Sequence, residues 1–206
     1  MRVFFITILL LLFQSCASKK YAKIRLLPDG IKSATEEKFV VENNQKKLLY
    51  KKEMVFTKNG SIKYSKTVDS LGNLLQETEK RLWFVVELYP DKESYYCKTR
   101  WKTKQRERIS CYTKKKYKEN EAIYYYNSDG TIDKIEDNFK TFTTQYFYYI
   151  NKELSKIIIR DKNDEIIDEI SINCVAKDDK GTCLKEIRIS IKTNNQEELL
   201  LTPKYD

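Results

Sequence analysis

Turn signals lie so close together in this sequence that only short antiparallel strands fit between most of them. Asn59-Gly60 separates KLLYKKEMVFT from SIKYSKTV, and SLGN, SDG, NKE, DKND and DDKG mark later turns. Parallel strands need crossover connections of roughly a dozen or more residues, which this spacing excludes. The sequence therefore predicts an all-β fold, an antiparallel meander of about ten to twelve strands that forms either an open curved sheet or a barrel.

The composition also favours strands over disorder. The chain has 15 Tyr and 9 Phe against 5 Gly and 2 Met, and 41% of its residues are hydrophobic. Aromatic residues are enriched in strands and depleted in disordered segments. Residues 74 to 82 are the one stretch with mixed helical character. We assign residues 36 to 206 to a single β domain.

The first residues have the pattern of an export signal. Arg2 is followed by an apolar run, residues 3 to 13. As a helix this run would be about 16 Å long, roughly half of the ~30 Å hydrocarbon core of a membrane. A short positive start and a short apolar segment predict a cleavable signal peptide at residues 1 to 15. Residues 16 to 35 include Pro28, Asp29 and Gly30 and are predicted to be a tether.

The stretch Phe13-Gln14-Ser15-Cys16 resembles the lipobox of bacterial lipoproteins. The resemblance implies that Cys16 is acylated on its sulfur and becomes the first residue of the mature protein. Acyl chains contribute ~0.8 kcal/mol per buried CH2, so two or three would anchor the protein durably. The expected location is the bacterial cell envelope, at the outer membrane or at the periplasmic face of the inner membrane. The alternative is an ordinary signal peptide with an incidental cysteine.

Two tyrosine-rich segments align with each other without gaps. YYYNSDGTIDKI and YFYYINKELSKI enter a turn through aromatic residues and leave it through an Ile or Leu followed by Lys-Ile. This pattern resembles the tyrosine-rich YD hairpin repeats of bacterial surface proteins, with Gly130 replaced by Lys152 in the second copy. The resemblance implies a structural or binding element rather than a catalytic one.

The remaining four cysteines suggest disulfides. An even number is expected if an oxidising compartment pairs them, and three pairings are possible. We favour the local one, Cys97 with Cys111 and Cys174 with Cys183, because each pair brackets a plausible hairpin. Free thiols or a metal site are the alternatives, although the sequence has no histidine and no CxxC motif for zinc.

A run of basic residues between Cys97 and Cys111 is the strongest candidate binding surface. Six of them fall on even positions, so they share one face of a strand or hairpin. We expect Arg100 to lie opposite Arg108 and Lys102 opposite Arg106, and like charges in such pairs destabilise a sheet unless an anion relieves them. A solvated edge that resists aggregation is the alternative. The basic face consists of Lys98, Arg100, Lys102, Lys104, Arg106 and Arg108.

No reaction is indicated by the sequence. Without histidine there is no Ser-His or Cys-His pairing and no histidine base. The acids near DKNDE occur in turn-like contexts, and that segment lacks the glycine of a calcium loop. A hydrolase built on two carboxylates would need an acid held out of water. The tyrosine runs 124 to 126 and 146 to 149 are expected to fill sheet faces, with sugar stacking as the alternative.

These observations predict a non-catalytic lipoprotein that needs no cofactor and no metal. Its partners would be the membrane, through Cys16, and an anionic polysaccharide, lipid head groups or an envelope protein at the basic face. Nucleic acid is excluded by the compartment. The alternative function is a barrel that carries or chaperones a hydrophobic molecule or an outer-membrane client. Closure of the sheet around an apolar interior distinguishes this alternative from a binding or scaffolding module.

Overall fold

The structure is a computed structural model that describes residues 30–42, 45–57, 62–81, 84–90, 95–103 and 105–205. Within these ranges it contains fourteen strands, and it contains no helix that could span a membrane. The strands are β1 (Ile31–Glu42), β2 (Gln45–Phe56), β3 (Ile62–Val68), β4 (Leu74–Lys80), β5 (Val85–Tyr89), β6 (Tyr95–Thr103), β7 (Arg106–Thr113), β8 (Lys118–Tyr126), β9 (Ile132–Asp137), β10 (Thr144–Ile150), β11 (Glu153–Arg160), β12 (Ile166–Lys177), β13 (Cys183–Ser190) and β14 (Gln196–Tyr205).

The strands form a closed barrel in which each strand pairs with its neighbours in the chain. Every pairing is antiparallel, and β1 completes the circle by pairing with β14. This last pairing runs from Ile31 opposite Tyr205 to Val41 opposite Gln196. The predicted all-β antiparallel meander is therefore confirmed, and of the two predicted forms the structure is the barrel.

Three details of the prediction were wrong. The barrel has fourteen strands rather than ten to twelve, because hairpins such as the one at 114–117 lack the Gly and Asn signals used to place turns. Residues 31–35, assigned to the tether, lie in β1, where they pair with the end of β14 and, from Ser33 onward, with β2. The stretch with mixed helical character is β4, since pairing with both β3 and β5 overrides its local preference.

Five hairpins share the same turn, which explains why short loops suffice. In each turn, the N–H of the first residue donates to the carbonyl of the residue four positions later. The carbonyl of the first residue accepts a hydrogen bond from the N–H of the residue three positions later. The residue at that third step has positive φ, a conformation that favours glycine. Gly72, Gly130 and Gly181 fill it in three hairpins, and Lys116 and Asp164 in the others. The first residues are Asp69, Thr113, Asn127, Asp161 and Asp178.

The pairing register identifies which side chains point into the barrel. Residues directly opposite in antiparallel strands share a face. From Cys97 the register leads through Glu87, Thr78, Ser65 and Met54 to Ala34 on β1. All of these except the half-buried Glu87 are buried, and Cys97 and Ser65 are 1% exposed. We call this the inner face and its opposite the outer face.

One end of the barrel is closed by apolar packing. A buried cluster joins the start of β1, the end of β2 and the end of β14, with Ile62 and Tyr205 packed against it. We call this end the base. Burial of each of its larger side chains contributes on the order of 2 kcal/mol of transfer free energy. The cluster consists of Ile31, Ala34, Met54, Phe56 and Leu201.

Both local disulfides are present. Cys97 is bonded to Cys111 directly across β6 and β7, on the inner face, and Cys174 is bonded to Cys183 across the hairpin of β12 and β13. Bonds that close loops of this length stabilise a protein by roughly 2 to 3 kcal/mol each. The first pins two strands that also carry the basic face.

Candidate functional site on the inner face

The inner face has an apolar arc on β9 to β12. Ile135 faces Gln145, which faces Ile159, and Phe147 faces Ile157, which faces Ile170. Ile157 is 6% exposed, but the other apolar residues of these pairs are only half-buried. Inward-pointing apolar side chains that keep accessible surface are not packed as in a filled core. We call the set Ile135, Phe147, Ile157, Ile159 and Ile170 the apolar arc.

Across the barrel, β2 to β5 present a chain of polar groups. The Gln76 Nε2 group donates to the Tyr89 hydroxyl at 3.1 Å, and that hydroxyl donates to Glu87 Oε2 at 3.0 Å. Thr67 lies opposite Gln76 and is 6% exposed, and its buried Oγ1 has no hydrogen-bond partner among the described residues. Lys52 lies opposite Thr67 and its charge acts on Glu87.

The chain of polar groups continues on β7 and β8 around Glu107. This carboxylate is 5% exposed and accepts a hydrogen bond of 2.6 Å from the Tyr126 hydroxyl. Tyr124 lies directly opposite Glu107 and interacts electrostatically with both Glu107 and Glu87. We call the set Lys52, Thr67, Gln76, Glu87, Tyr89, Glu107, Tyr124 and Tyr126 the polar arc.

Burial makes the two carboxylates of the polar arc unusually basic. The pKa of Glu107 is raised to about 7, chiefly by desolvation. The hydrogen bond from Tyr126 lowers this pKa, and the charge of Glu87 raises it. Desolvation also raises the pKa of Glu87, opposed by the Tyr89 hydrogen bond and by Lys52. The same burial raises the pKa of Tyr89, Tyr124 and Tyr126, so these phenols stay protonated. The polar arc is therefore rich in hydrogen-bond donors and short of positive charge.

Inward-pointing charges on β1, β13 and β14 are paired instead. Lys38 Nζ lies 2.7 Å from Glu197 Oε1, and Arg188 Nε lies 2.6 Å from Glu186 Oε1. The register shows that both basic side chains point inward. Lys38 is directly opposite Leu199, which is 3% exposed, and Arg188 is opposite Glu197. Charges with nearby partners need no ligand to compensate them.

The basic face lies on the outside of the barrel. Lys98 and Arg100 have the parity opposite to Cys97, and Arg108 lies opposite Arg100 as expected. The expectation for Lys102 was wrong, because a bulge between Trp101 and Thr103 places Thr103 opposite Arg106. The Lys102 side chain and Lys104 lie outside the described residues.

Neighbouring strands supply counter-charges that the local sequence did not reveal. Glu121 of β8 lies 3.7 Å from Arg108 Nε and 2.9 Å from Lys118 Nζ, and it accepts a hydrogen bond from Ser110. Desolvation alone would raise the pKa of Glu121, but these contacts hold it below its usual value. Lys98 lies over the Tyr96 ring at 5.1 Å. The basic face thus has internal partners, and a binding role for it remains a prediction.

The tyrosine runs divide between the two faces. Tyr124 and Tyr126 belong to the polar arc, whereas the Tyr125 hydroxyl donates to Glu136 on the outer face at 2.7 Å. Phe147 lies in the apolar arc, and Tyr148 is 43% exposed beside the Lys156 ammonium group. Alternation in a strand separates neighbours in each run, so neither run forms one continuous platform.

Other residues raised by the sequence have structural roles or lie outside the described ranges. Asp161 accepts backbone hydrogen bonds from Asn163 and Glu165 and so caps a turn. In the described residues no three His, Cys, Asp or Glu side chains are grouped to hold a metal ion. Cys16 and the signal peptide lie outside the described residues.

Sequence reasoning missed the carboxylates of the polar arc. Glu107 is the one acid between Cys97 and Cys111, and it shares the parity of both cysteines. That parity was a usable signal, since it separates Glu107 from the basic residues on even positions. Glu87 carried no such signal, because it lies within the short apolar run VVELY and the Lys52 charge that acts on it comes from a distant strand.

No protein-family model matches the sequence, and no curated protein matches it. Three solved structures show a distant likeness. A putative outer membrane lipoprotein-sorting protein domain from Vibrio parahaemolyticus is 5% identical, covering 90% of this chain and 88% of that chain, with a TM-score of 0.35. A DUF1329 family protein from Desulfovibrio piger is 9% identical, covering 86% of this chain and 87% of that chain, with a TM-score of 0.40.

The third is a LolA superfamily protein from Nitrosomonas europaea, 8% identical over 89% of this chain and 88% of that chain, with a TM-score of 0.42. At these identities and TM-scores the likeness supports no conclusion about this chain. What those proteins bind is not carried over to this chain.

Replacing Glu107 with Gln should change how stability depends on pH. The native pKa of about 7 exceeds the ordinary 4.5, so the folded state holds this proton more tightly than the unfolded state. The stabilisation is complete below about pH 4.5 and disappears as pH rises to about 7, a loss on the order of 3 kcal/mol. Glu107→Gln should lack this loss, as measured by urea unfolding at successive pH values.

Glu169→Gln is the matched control, because Glu169 lies on the outer face, 3.4 Å from Lys156. Its unfolding free energy should follow the pH dependence of the wild type. Parallel curves for the wild type and Glu107→Gln between pH 5 and 8 would contradict the buried, uncompensated carboxylate described above.

Proposed function

We propose that this chain is a non-catalytic cell-envelope lipoprotein whose barrel holds an amphiphilic molecule, with an acyl chain against the apolar arc and a polar head at the polar arc. The observation that carries the proposal is closure of fourteen strands around inward apolar side chains that remain only half-buried. This corresponds to the carrier alternative rather than to a flat binding sheet.

The width of the barrel supports an occupant. Barrel diameter grows with strand number, and about eight strands already give an interior that side chains just fill or that holds one small ligand. Fourteen strands enclose more space than that, and the apolar cluster at the base involves only the ends of β1, β2 and β14. Half-buried Phe147 and Ile159 lie away from that cluster, where an acyl chain would cover them.

The division of the inner face into two arcs favours an amphiphile over a purely apolar molecule. An apolar ligand would leave Glu87 and Glu107 dehydrated with nothing to replace the lost water, which costs several kcal/mol for a charged group. A ligand with a polar head satisfies those groups and still covers the apolar arc. The basic outer face would then serve contact with anionic head groups at the membrane surface.

Binding is favoured over hydrolysis by the groups around the carboxylates. Glu107 meets the requirement of an acid held out of water. Its contact, however, is a tyrosine whose pKa is raised by burial, which makes the phenol a poor nucleophile and a poor base at neutral pH. The sequence contains no histidine to activate either water or a hydroxyl group.

The anchor is the second part of the proposal. The lipobox-like segment before Cys16 supports removal of residues 1 to 15 and acylation of the cysteine. β1 begins at Ile31, so a short stretch of chain would connect the acylated residue to the base of the barrel.

Adding a charge to the apolar arc should abolish binding of a hydrophobic probe. Ile159 lies between Gln145 and Asp168 on the neighbouring strands, next to the row of Phe147, Ile157 and Ile170. Ile159→Glu adds a second carboxylate beside Asp168 and should weaken binding of the neutral probe N-phenyl-1-naphthylamine at least tenfold, about 1.4 kcal/mol. Fluorescence titration of the folded, delipidated chain measures the affinity, and thermal unfolding checks that the variant folds.

Ile189→Glu is the matched control, since Ile189 is 37% exposed on the outer face. It should bind the probe like the wild type. Ile170→Trp fills the same space without adding charge and should also weaken binding. Equal affinity in the wild type, Ile159→Glu and Ile170→Trp would show that the probe does not enter the barrel.

Replacing Cys16 with Ser should release the protein from membranes. The wild type is expected to fractionate with the envelope, and its first peptide is expected to begin at an acylated Cys16. Cys16→Ser should lack the lipid, while Ser18→Ala should keep it. Mass spectrometry of the mature amino terminus gives the result, and an unmodified Cys16 in the envelope-bound wild type would contradict the anchor.

A further inference from the structure

The polar arc has a charge deficit that a ligand could correct. Two carboxylates, Glu87 and Glu107, point inward on this side, and the positive side chain of Lys52 acts on Glu87. Among the side chains that the structure describes, no cation contributes to Glu107, whose electrostatic neighbour is the like-charged Glu87.

This deficit contrasts with the rest of the molecule. The chain as a whole carries a net charge of +9, and the outward acid Glu121 is held by basic side chains. On β1, β13 and β14 inward charges are paired, Lys38 with Glu197 and Arg188 with Glu186, and the inward Asp168 of β12 accepts hydrogen bonds from Ser190. An unpaired buried carboxylate is costly, and a cation that pairs with it recovers much of that cost.

A second observation independently indicates a ligand at this position. Thr67 is 94% buried, since its exposure is 6%, and its Oγ1 atom has no partner in the described part of the chain. It lies on the inner face between Lys52 and Gln76, next to the hydrogen-bonded series that ends at Glu87. A buried hydroxyl without a partner is rare in a folded protein, and a ligand donor or acceptor would complete it.

The aromatic content of the arc indicates the kind of cation. Tyr89, Tyr124 and Tyr126 surround the two carboxylates through hydrogen bonds or direct cross-strand pairing. Tyrosine rings attract ammonium groups through their negative faces, with an energy of about 0.5 to 2 kcal/mol. Carboxylates and tyrosine rings together are suited to an alkylammonium group and unsuited to a phosphate or a carboxylate.

We propose that the polar arc binds the positively charged amine of the amphiphile, with Glu107 as its principal partner and Glu87, Tyr124 and Tyr126 beside it. The inference rests on the proposed function and adds the head-group chemistry to it. The ligand class is therefore an amine-bearing lipid or an acylated molecule with a free amino group.

Three probes with the same acyl chain test this: dodecylammonium, dodecanol and dodecanoate, titrated by calorimetry at pH 8 below their micelle concentrations. The wild type should bind dodecylammonium at least tenfold more tightly than dodecanol, and dodecanoate most weakly. Glu107→Gln should weaken dodecylammonium binding about tenfold and leave dodecanol unchanged. Glu169→Gln, on the outer face, should resemble the wild type for all three.

A second measurement uses the unaltered protein, in case Glu107→Gln does not fold. Lowering the pH from 8 to 5.5 protonates Glu107 and leaves dodecylammonium charged, so the preference over dodecanol should shrink several-fold. Glu87 and Lys52 face the same space, and Glu87 would change in the same direction.

The outcomes separate the two proposals. Equal affinity for dodecylammonium and dodecanol in the wild type, or an amine preference that survives both Glu107→Gln and the lower pH, overturns the head-group inference and leaves the carrier function standing. Failure of all three probes to bind overturns the carrier function and this inference together.

Discussion

The pairing of β1 with β14 is the interaction on which the remaining structure depends. It joins residues at opposite ends of the domain, from Ile31 with Tyr205 to Val41 with Gln196. Without it, both strands would be edges with unpaired backbone groups, open to association with other chains. With it, the sheet has an inside and an outside, and the base cluster forms because Leu201 meets Ala34 and Met54 there.

Closure also explains why two different chemistries coexist inside. A flat sheet would expose its polar residues to water, where Glu87 and Glu107 would need no special partners. In a barrel, the same residues are dehydrated on one side while half-buried isoleucines line the other. Such an interior is a poor packed core and a suitable lining for an amphiphile. The cost in stability is the reason to expect a function.

Much of the fold was predictable because it is local. Hairpin turns carry Asn, Asp and Gly where the backbone requires them, and Cys97 and Cys111 lie directly across one hairpin. The parity that placed Lys98 and Arg100 on one face also held. These features depend on residues fewer than about fifteen apart.

What could not be predicted depends on distant strands. The counter-charge that Glu121 gives Arg108 comes from β8, and the bulge that displaces Lys102 depends on how β6 and β7 fit the barrel. Assembly of the polar arc needs β2 to β5 and β7 to β8 in one register. Residues 31–35 looked like a tether because their partners on β2 and β14 are distant in the sequence.

The most direct test of the account is residue-resolved hydrogen exchange of the amides in β1 and β14. In a closed barrel both strands have neighbours on each side, so consecutive amides should all exchange slowly, as in β12 and β13. In an open sheet every second amide of β1 and β14 would point away from the sheet and exchange as fast as an amide without a hydrogen bond. That alternating pattern would contradict closure and, with it, an interior able to hold a ligand.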